Sequence, residues 1–321
     1  MAEPKRKGCL GCSFPVLIII IIIALAIIVI GFLAGPLGKN MIGDVGLPSW
    51  ISVPSPEPHL PAPVLFNVFG LPIANTIIAG WITVVFLVVI SWVITRRMKI
   101  VPGRLQAAFE FLLGWIFDLC QSIAGEENGR KFFPVVCTIF LFVLFNAWLS
   151  LIPGFGSIEI TINGHHYELL RGSNTDVNTP LAIALVSFIF VEYYGLKTLG
   201  IKYLRKFINA GAFFKSTGRV FKGRAREGLS GLFSGFVDIF VGGLETLSEL
   251  IRIVSFTFRL FGNMTAGEIL LLIAAFLIPW VLALPFYGLE LLVGFVQALI
   301  FSGLTLVFVT MAVSPHEGEA H

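Results

Sequence analysis

Long apolar runs alternate with short polar, proline-rich or basic segments, and the run lengths set the first expectation. Residues 14–34 are 21 consecutive uncharged positions, enough to cross a hydrocarbon core of about 30 Å at 1.5 Å per residue. Further spans are expected at roughly 77–95, 134–151, 179–195 and 284–312. Asn75-Thr76 caps the second, Pro134 opens the third and Pro153-Gly154 ends it. Residues 242–280, led into by 229–241, read as one long helix because no proline interrupts them before Pro279. Residues 103–125 follow another pattern. Leu105, Phe109, Leu112, Ile116, Leu119 and Ile123 form one stripe, with Glu110, Gly114, Asp118 and Gln121 opposite. That is a helix lying at the membrane interface or against a partner. Residues 35–63 carry Pro48, Pro54, Pro56, Pro58, Pro61 and Pro63 and read as a stiff, extended linker. Asn163-Gly164, within the polar segment 154–177, reads as the turn of a short hairpin. The predicted fold is all-α and polytopic, with about six membrane-crossing helices, a long tilted pair at the C-terminal end and an amphipathic interfacial helix. An N-terminal anchor and linker, 1–63, precede one membrane domain, 64–321.

Charge assigns the sides. Only 13% of the 321 residues are charged, against 56% hydrophobic, about half the charged share of a soluble protein. Net charge is only +3, but its distribution is asymmetric. With the N-terminus in the cytoplasm, the basic clusters at 5–7, 96–104, 130–131 and 197–226 all fall on the cytoplasmic side, leaving Lys39 and Arg171 outside. That satisfies the positive-inside rule at each loop, and both termini are expected in the cytoplasm. The basic stretch from Lys197 to Arg226 could bind nucleic acid in a soluble protein; flanked by spans, it is a topological signal, and no nucleic-acid partner is expected. A removable signal peptide would have a shorter apolar core than 14–34 and a small-residue cleavage site, so an uncleaved anchor with its basic end in the cytoplasm is expected. Cys9-Leu-Gly-Cys12 has no second pair, and the five histidines lie in loops or tails, so neither a metal site nor a cofactor is expected.

The chemistry concentrates on the long helix. Arg259 sits among Phe256, Phe258, Leu260 and Phe261, where a charge costs roughly 2.5–3.5 kcal/mol on insertion scales. Such a charge marks a water-filled or protein-lined ion route, although a snorkelling structural arginine is the bland alternative. Guanidinium does not deprotonate in proteins, so Arg259 can hold a field but cannot carry a proton. Glu245, Arg252 and Arg259 recur every seven residues and drift by about 20° per step, hence share a face. Asn263 lies one turn past Arg259. Glu290 and Gln297, also seven apart, share a face of the last helix. Interhelical hydrogen bonding, about 0.6 kcal/mol per contact, would explain the amides singly but not the carboxylates. Glu268 departs from the stripe, about 180° from Arg259 in an ideal helix.

The string Arg259-Leu260-Phe261-Gly262-Asn263-Met264, continuing to Ala266-Gly267-Glu268, closely resembles the signature helix of the a subunit of F-type ATP synthase. Gln297 in the last helix, Asp176-Val177-Asn178-Thr179-Pro180-Leu181, and Asn75-Thr76 extend the likeness across roughly 64–313. The resemblance implies a proton-translocating stator subunit in a bacterial plasma membrane. Its partners would be a c-subunit ring, a b-subunit peripheral stalk and the other ATP synthase subunits. Catalysis would belong to those other subunits, in keeping with the lack of a G-x-x-x-x-G-K-[ST] loop here. It further implies that Glu268, Asn263, Glu290 and Gln297, with Asp176 and Asn178, line a half-channel open to the outside, and that Glu245 and Ser248 line the cytoplasmic one. Arg259 would stand between the two, facing the c-ring carboxylates. The chain departs from the family pattern at Ile253, where proline is frequent, and in carrying Glu at both 268 and 290. The competing functional reading is a secondary ion transporter or channel built on an intramembrane Arg–Glu pair. That class predicts matched repeats or glycine-broken helices, which the sequence lacks.

Overall fold

A computed structural model of the chain describes residues 14–43, 62–68, 70–96, 98–152, 154–162, 165–200, 203, 225–279 and 282–314. The fold is all-α, with seven helices among those residues: α1 Phe14–Ala34, α2 Pro36–Ile42, α3 Asn75–Arg96, α4 Arg104–Ser150, α5 Asn178–Leu199, α6 Ala225–Leu277 and α7 Ala283–Val313. Six of them are long and apolar enough to cross a membrane, as the run lengths predict. Ile18–Ile23 is an unbroken β-branched run that would favour a strand in water. In lipid every backbone group must be satisfied within the segment, so the run is helical. Cys9, Cys12, the turn pair Asn163-Gly164, the proline-rich residues 44–61 and nearly all of the basic stretch lie outside the described residues.

Several boundaries differ from expectation. Residues 36–42 of the supposed linker are helical, with Pro36 at the first helical position, where its missing N–H costs nothing. Pro134 does not open the third span. The interfacial segment and that span join within α4, and the break falls at Gly125 (φ 79°, ψ 169°), a conformation costly to any residue with a Cβ. The helix that carries the third span therefore begins just after Gly125, and Pro134 lies inside that helix, removing one backbone bond. The interfacial segment packs on the bundle: Ile116 and Cys120 are buried, and Trp115 stacks on Phe295 of α7 at 6.1 Å. The expected hairpin is present as β3 Glu159–Ile162 antiparallel to β4 His165–Glu168. A second hairpin, β1 Val64–Val68 with β2 Leu71–Ala74, was not anticipated. It turns around Gly70 at φ 84°.

By contact the chain forms two units, Met1–Leu60 with Thr265–Val293, and Pro61–Met264 with Gly294–His321. The larger unit holds an aromatic core. Phe132 of α4 meets Phe190 and Tyr194 of α5 edge-on, and Phe256 of α6 packs on Phe301 of α7 at 4.7 Å. In the smaller unit, Gly31 and Gly35 let the end of α1 approach the carbonyls of Pro279 and Leu277, leaving no room for a side chain.

Candidate functional site

Within the larger unit, α6 presents two arginines a heptad apart in opposite circumstances. Arg252 Nη1 donates to Glu249 Oε2 at 2.5 Å, and its guanidinium lies 3.7 Å from the centre of the Phe308 ring. Glu249 is buried. Arg259 is exposed. Its nearest aromatic is Phe256, at 6.0 Å, and no carboxylate among the described residues lies within ion-pairing distance. An exposed cation on a helix of this apolarity faces either lipid, at high cost, or something outside the chain.

One turn on, Asn263 Nδ2 donates to Gln297 Oε1 of α7 at 2.8 Å, joining the two helices as their polar stripes predict. Gln297 is 2% exposed, yet its Nε2 has no hydrogen-bond partner among the described residues. A buried donor left unpaired costs about 1–3 kcal/mol unless water satisfies it. Ser248 is exposed on α6 and Glu245 half-buried.

Asp176 and Asn178 are also brought together. Asp176 Oδ1 accepts from the backbone N–H and the Nδ2 of Asn178, at 3.1 and 3.0 Å. Its other oxygen accepts from Thr76 Oγ1 at 3.1 Å. That carboxylate thereby satisfies the first backbone N–H of α5 and ties it to the start of α3. Around it lies a polar cluster the sequence reading missed. Asn146 of α4 donates to Thr83 of α3 at 3.2 Å and accepts from the Asn174 backbone N–H at 3.3 Å. Asn174 is 1% exposed, with neither side-chain amide atom paired among the described residues. Asn146 and Thr83 sit singly in apolar runs, where the available signal was only an isolated polar residue at membrane depth.

In the smaller unit, the Glu290 carboxylate lies against the backbone of Gly267, occupying the space a Cβ there would need. Glu290 is buried and Glu268 half-buried. Gly267 is therefore a requirement of the Glu290 side chain rather than of backbone conformation. At the C-terminal end of α5, Gly200 (φ 61°) turns the chain. The Tyr203 ring then packs on Gly195, and its hydroxyl donates to Glu192 at 3.2 Å. Burial first, and the neighbouring Glu192 second, push the Tyr203 hydroxyl well above the ordinary tyrosine range, so it remains a donor.

Residues 77–310 match the family model described as ATP synthase A chain. The chain belongs to that family. Among similar proteins, "ATP synthase subunit a 3" of Pelobacter propionicus is 32% identical over 236 residues, covering 74% of this chain and 86% of the relative. "ATP synthase subunit a" of Geotalea daltonii is 29% identical over 251 residues, 78% of this chain and 91% of the relative. The same-named protein of Moorella thermoacetica is 27% identical over 259 residues, 80% and 99%. With six helices able to cross a membrane, the chain is a multi-pass, membrane-sector subunit of F-type ATP synthase. Residues 1–76, with α1 and the first hairpin, precede the matched region.

Proposed function

We propose that this subunit conducts protons to and from the carboxylates of a c ring through two half-channels, with Arg259 as the separator between them. The observation that carries this reading is the setting of Arg259: a permanent cation, exposed on a membrane-spanning helix, with no carboxylate partner among the described residues. The c-ring carboxylate is the anion that completes it. A cation beside such a carboxylate favours its ionised form, so the proton is released there; away from the cation the group must be protonated to face lipid. The same positive field repels protons and blocks direct passage between half-channels. Each proton crossing is worth about 2.3 kcal/mol per 100 mV, which a leak would dissipate.

On this reading Asn263 and Gln297 line the half-channel open to the outside, and the unpaired Gln297 amide supports a hydrated path there. The resemblance assigns Asp176, Asn178, Glu268 and Glu290 to the same half-channel, the two glutamates acting as its titrating stations. Glu245 and Ser248 belong to the cytoplasmic one. Residues 1–63 act as anchor and linker to the subunit domain at 64–321. Both termini face the cytoplasm of a bacterial cell, the peripheral stalk holds the subunit still, and nucleotide chemistry lies in other subunits. Arg259→Ala is expected to abolish ATP-driven acidification of inverted membrane vesicles while the subunit remains in the membrane. Normal pumping by that variant would overturn the assignment.

A further inference from the structure

Arg252 reaches three helices at once. It pairs with Glu249 on α6, lies over Phe308 of α7, and borders a small cavity together with Ser187 and Val191 of α5. The Glu249 side chain is 4% exposed and that of Arg252 22%, so the pair is largely withdrawn from solvent and each charge offsets the burial of the other. A guanidinium that is both ion-paired and stacked is fixed in plane and direction, which an ammonium on a flexible stem is not.

The contacts continue towards Arg259. Phe308 also packs on Phe256 at 5.9 Å, and the Arg259 guanidinium lies 6.0 Å from the centre of the Phe256 ring. Glu249, Arg252, Phe308, Phe256 and Arg259 thus form an unbroken series of contacts. Two turns of helix separate the arginines, and α6 runs through them as one helix. Fixing Arg252 against α7 therefore fixes the direction, about 20° away around the axis, in which Arg259 projects. We propose that Arg252, locked by Glu249 and Phe308, is a positioning residue that sets the roll of α6 and thereby fixes the direction in which Arg259 projects. This rests on the reading of Arg259 given above.

The test uses the complete ATP synthase in inverted vesicles, with the native cysteines replaced by serine. Arg252→Gln, Arg252→Lys, Phe308→Leu and the Arg252→Gln/Phe308→Leu double variant are compared at equal amounts of membrane-inserted subunit. Each of Arg252→Gln and Phe308→Leu should lower ATP-driven acidification by about fivefold. The double variant should do no worse than the weaker single, because both remove one shared contact. Arg252→Lys should fall in between. Roll is read separately from the alkylation rates of Ser255→Cys, at an exposed position, and Thr257→Cys, at a position 3% exposed. Arg252→Gln and Phe308→Leu should both lower the ratio of the first rate to the second. Additive losses, or an unchanged ratio, overturn the positioning role. Should Arg252→Gln fail to insert, Phe308→Leu, an apolar exchange, carries the same ratio test. If the ratio shifts while Arg259→Ala pumps normally, α6 is positioned as inferred and the separator reading alone falls.

Discussion

Arg252 and Arg259 share a helix and nearly a face, yet among the described residues one is answered by an ion pair and the other is not. Arg252 has a carboxylate three residues behind it and an aromatic ring beneath it; its charge is spent on holding α6 to α7. Arg259 has Phe256 at 6.0 Å and no ion pair among the described residues. On the proposed reading, identical side chains take structural or functional roles according to whether the fold neutralises them. The lesson is general for membrane helices. A buried ion pair is weak evidence of function, while an unanswered charge at membrane depth implies a partner elsewhere.

The sharpest way to break this contrast is to give Arg259 what Arg252 has. A Cβ on Gly262 meets nothing within 4 Å, so Gly262→Glu starts from open space and places a carboxylate three residues from Arg259. ATP-driven acidification should fall by about tenfold or more, because the arginine's field is neutralised in place. Undiminished pumping would show that an unpaired Arg259 is not what the subunit needs.

Glu290 tests the titrating half of the reading. Glu290→Gln preserves shape and hydrogen bonding but cannot titrate, and should slow coupled proton flow by roughly fivefold to tenfold, with Glu290→His recovering much of it. Equal rates for all three would leave Glu290 a structural residue. Its neighbour offers a steric counterpart: Gly267→Ala forces a methyl into the space of the Glu290 carboxylate. Overpacking of this kind costs about 1–3 kcal/mol, which thermal inactivation of the purified complex can measure. Glu290→Asp, one methylene shorter, should restore part of the loss; no recovery would mean the clash is relieved elsewhere. The smallest effect is expected at Asn263→Ala, which takes from Gln297 its hydrogen-bond partner. A loss of about 1–2 kcal/mol in stability is expected if water cannot substitute, and a negligible one if the Gln297 site is already hydrated.

Much of the architecture was legible because membrane spans are set by length and apolarity, quantities that belong to the sequence alone. The spans opening at Phe14, near Asn75 and Asn178, and near Ala283 begin within about two residues of expectation, since the same caps and prolines delimit them in any context. The helix that carries the third opens just after Gly125, ahead of Pro134. Pro134 carries a strong start signal, but Gly125 can adopt a positive φ at little cost, and only the packing of Trp115, in the interfacial segment, against Phe140 and Phe295 demands that it do so. Likewise the heptad of Glu245, Arg252 and Arg259 correctly indicated a shared face but could not say which arginine would be satisfied.

The sequence by itself determined the all-α class, six spans, a helix carrying charges that apolar surroundings penalise, and membership of a family through the Arg259–Glu268 string. These follow from local composition and from residues close in the chain. The tertiary structure decided which polar groups meet: Asn263 with Gln297, Thr76 with Asp176, Asn146 with Thr83, and Arg252 with Phe308. Such pairs lie 34 to 100 residues apart in the hydrogen-bonded cases. No periodicity encodes them, because helix packing fixes rotation and depth through the summed fit of many side chains.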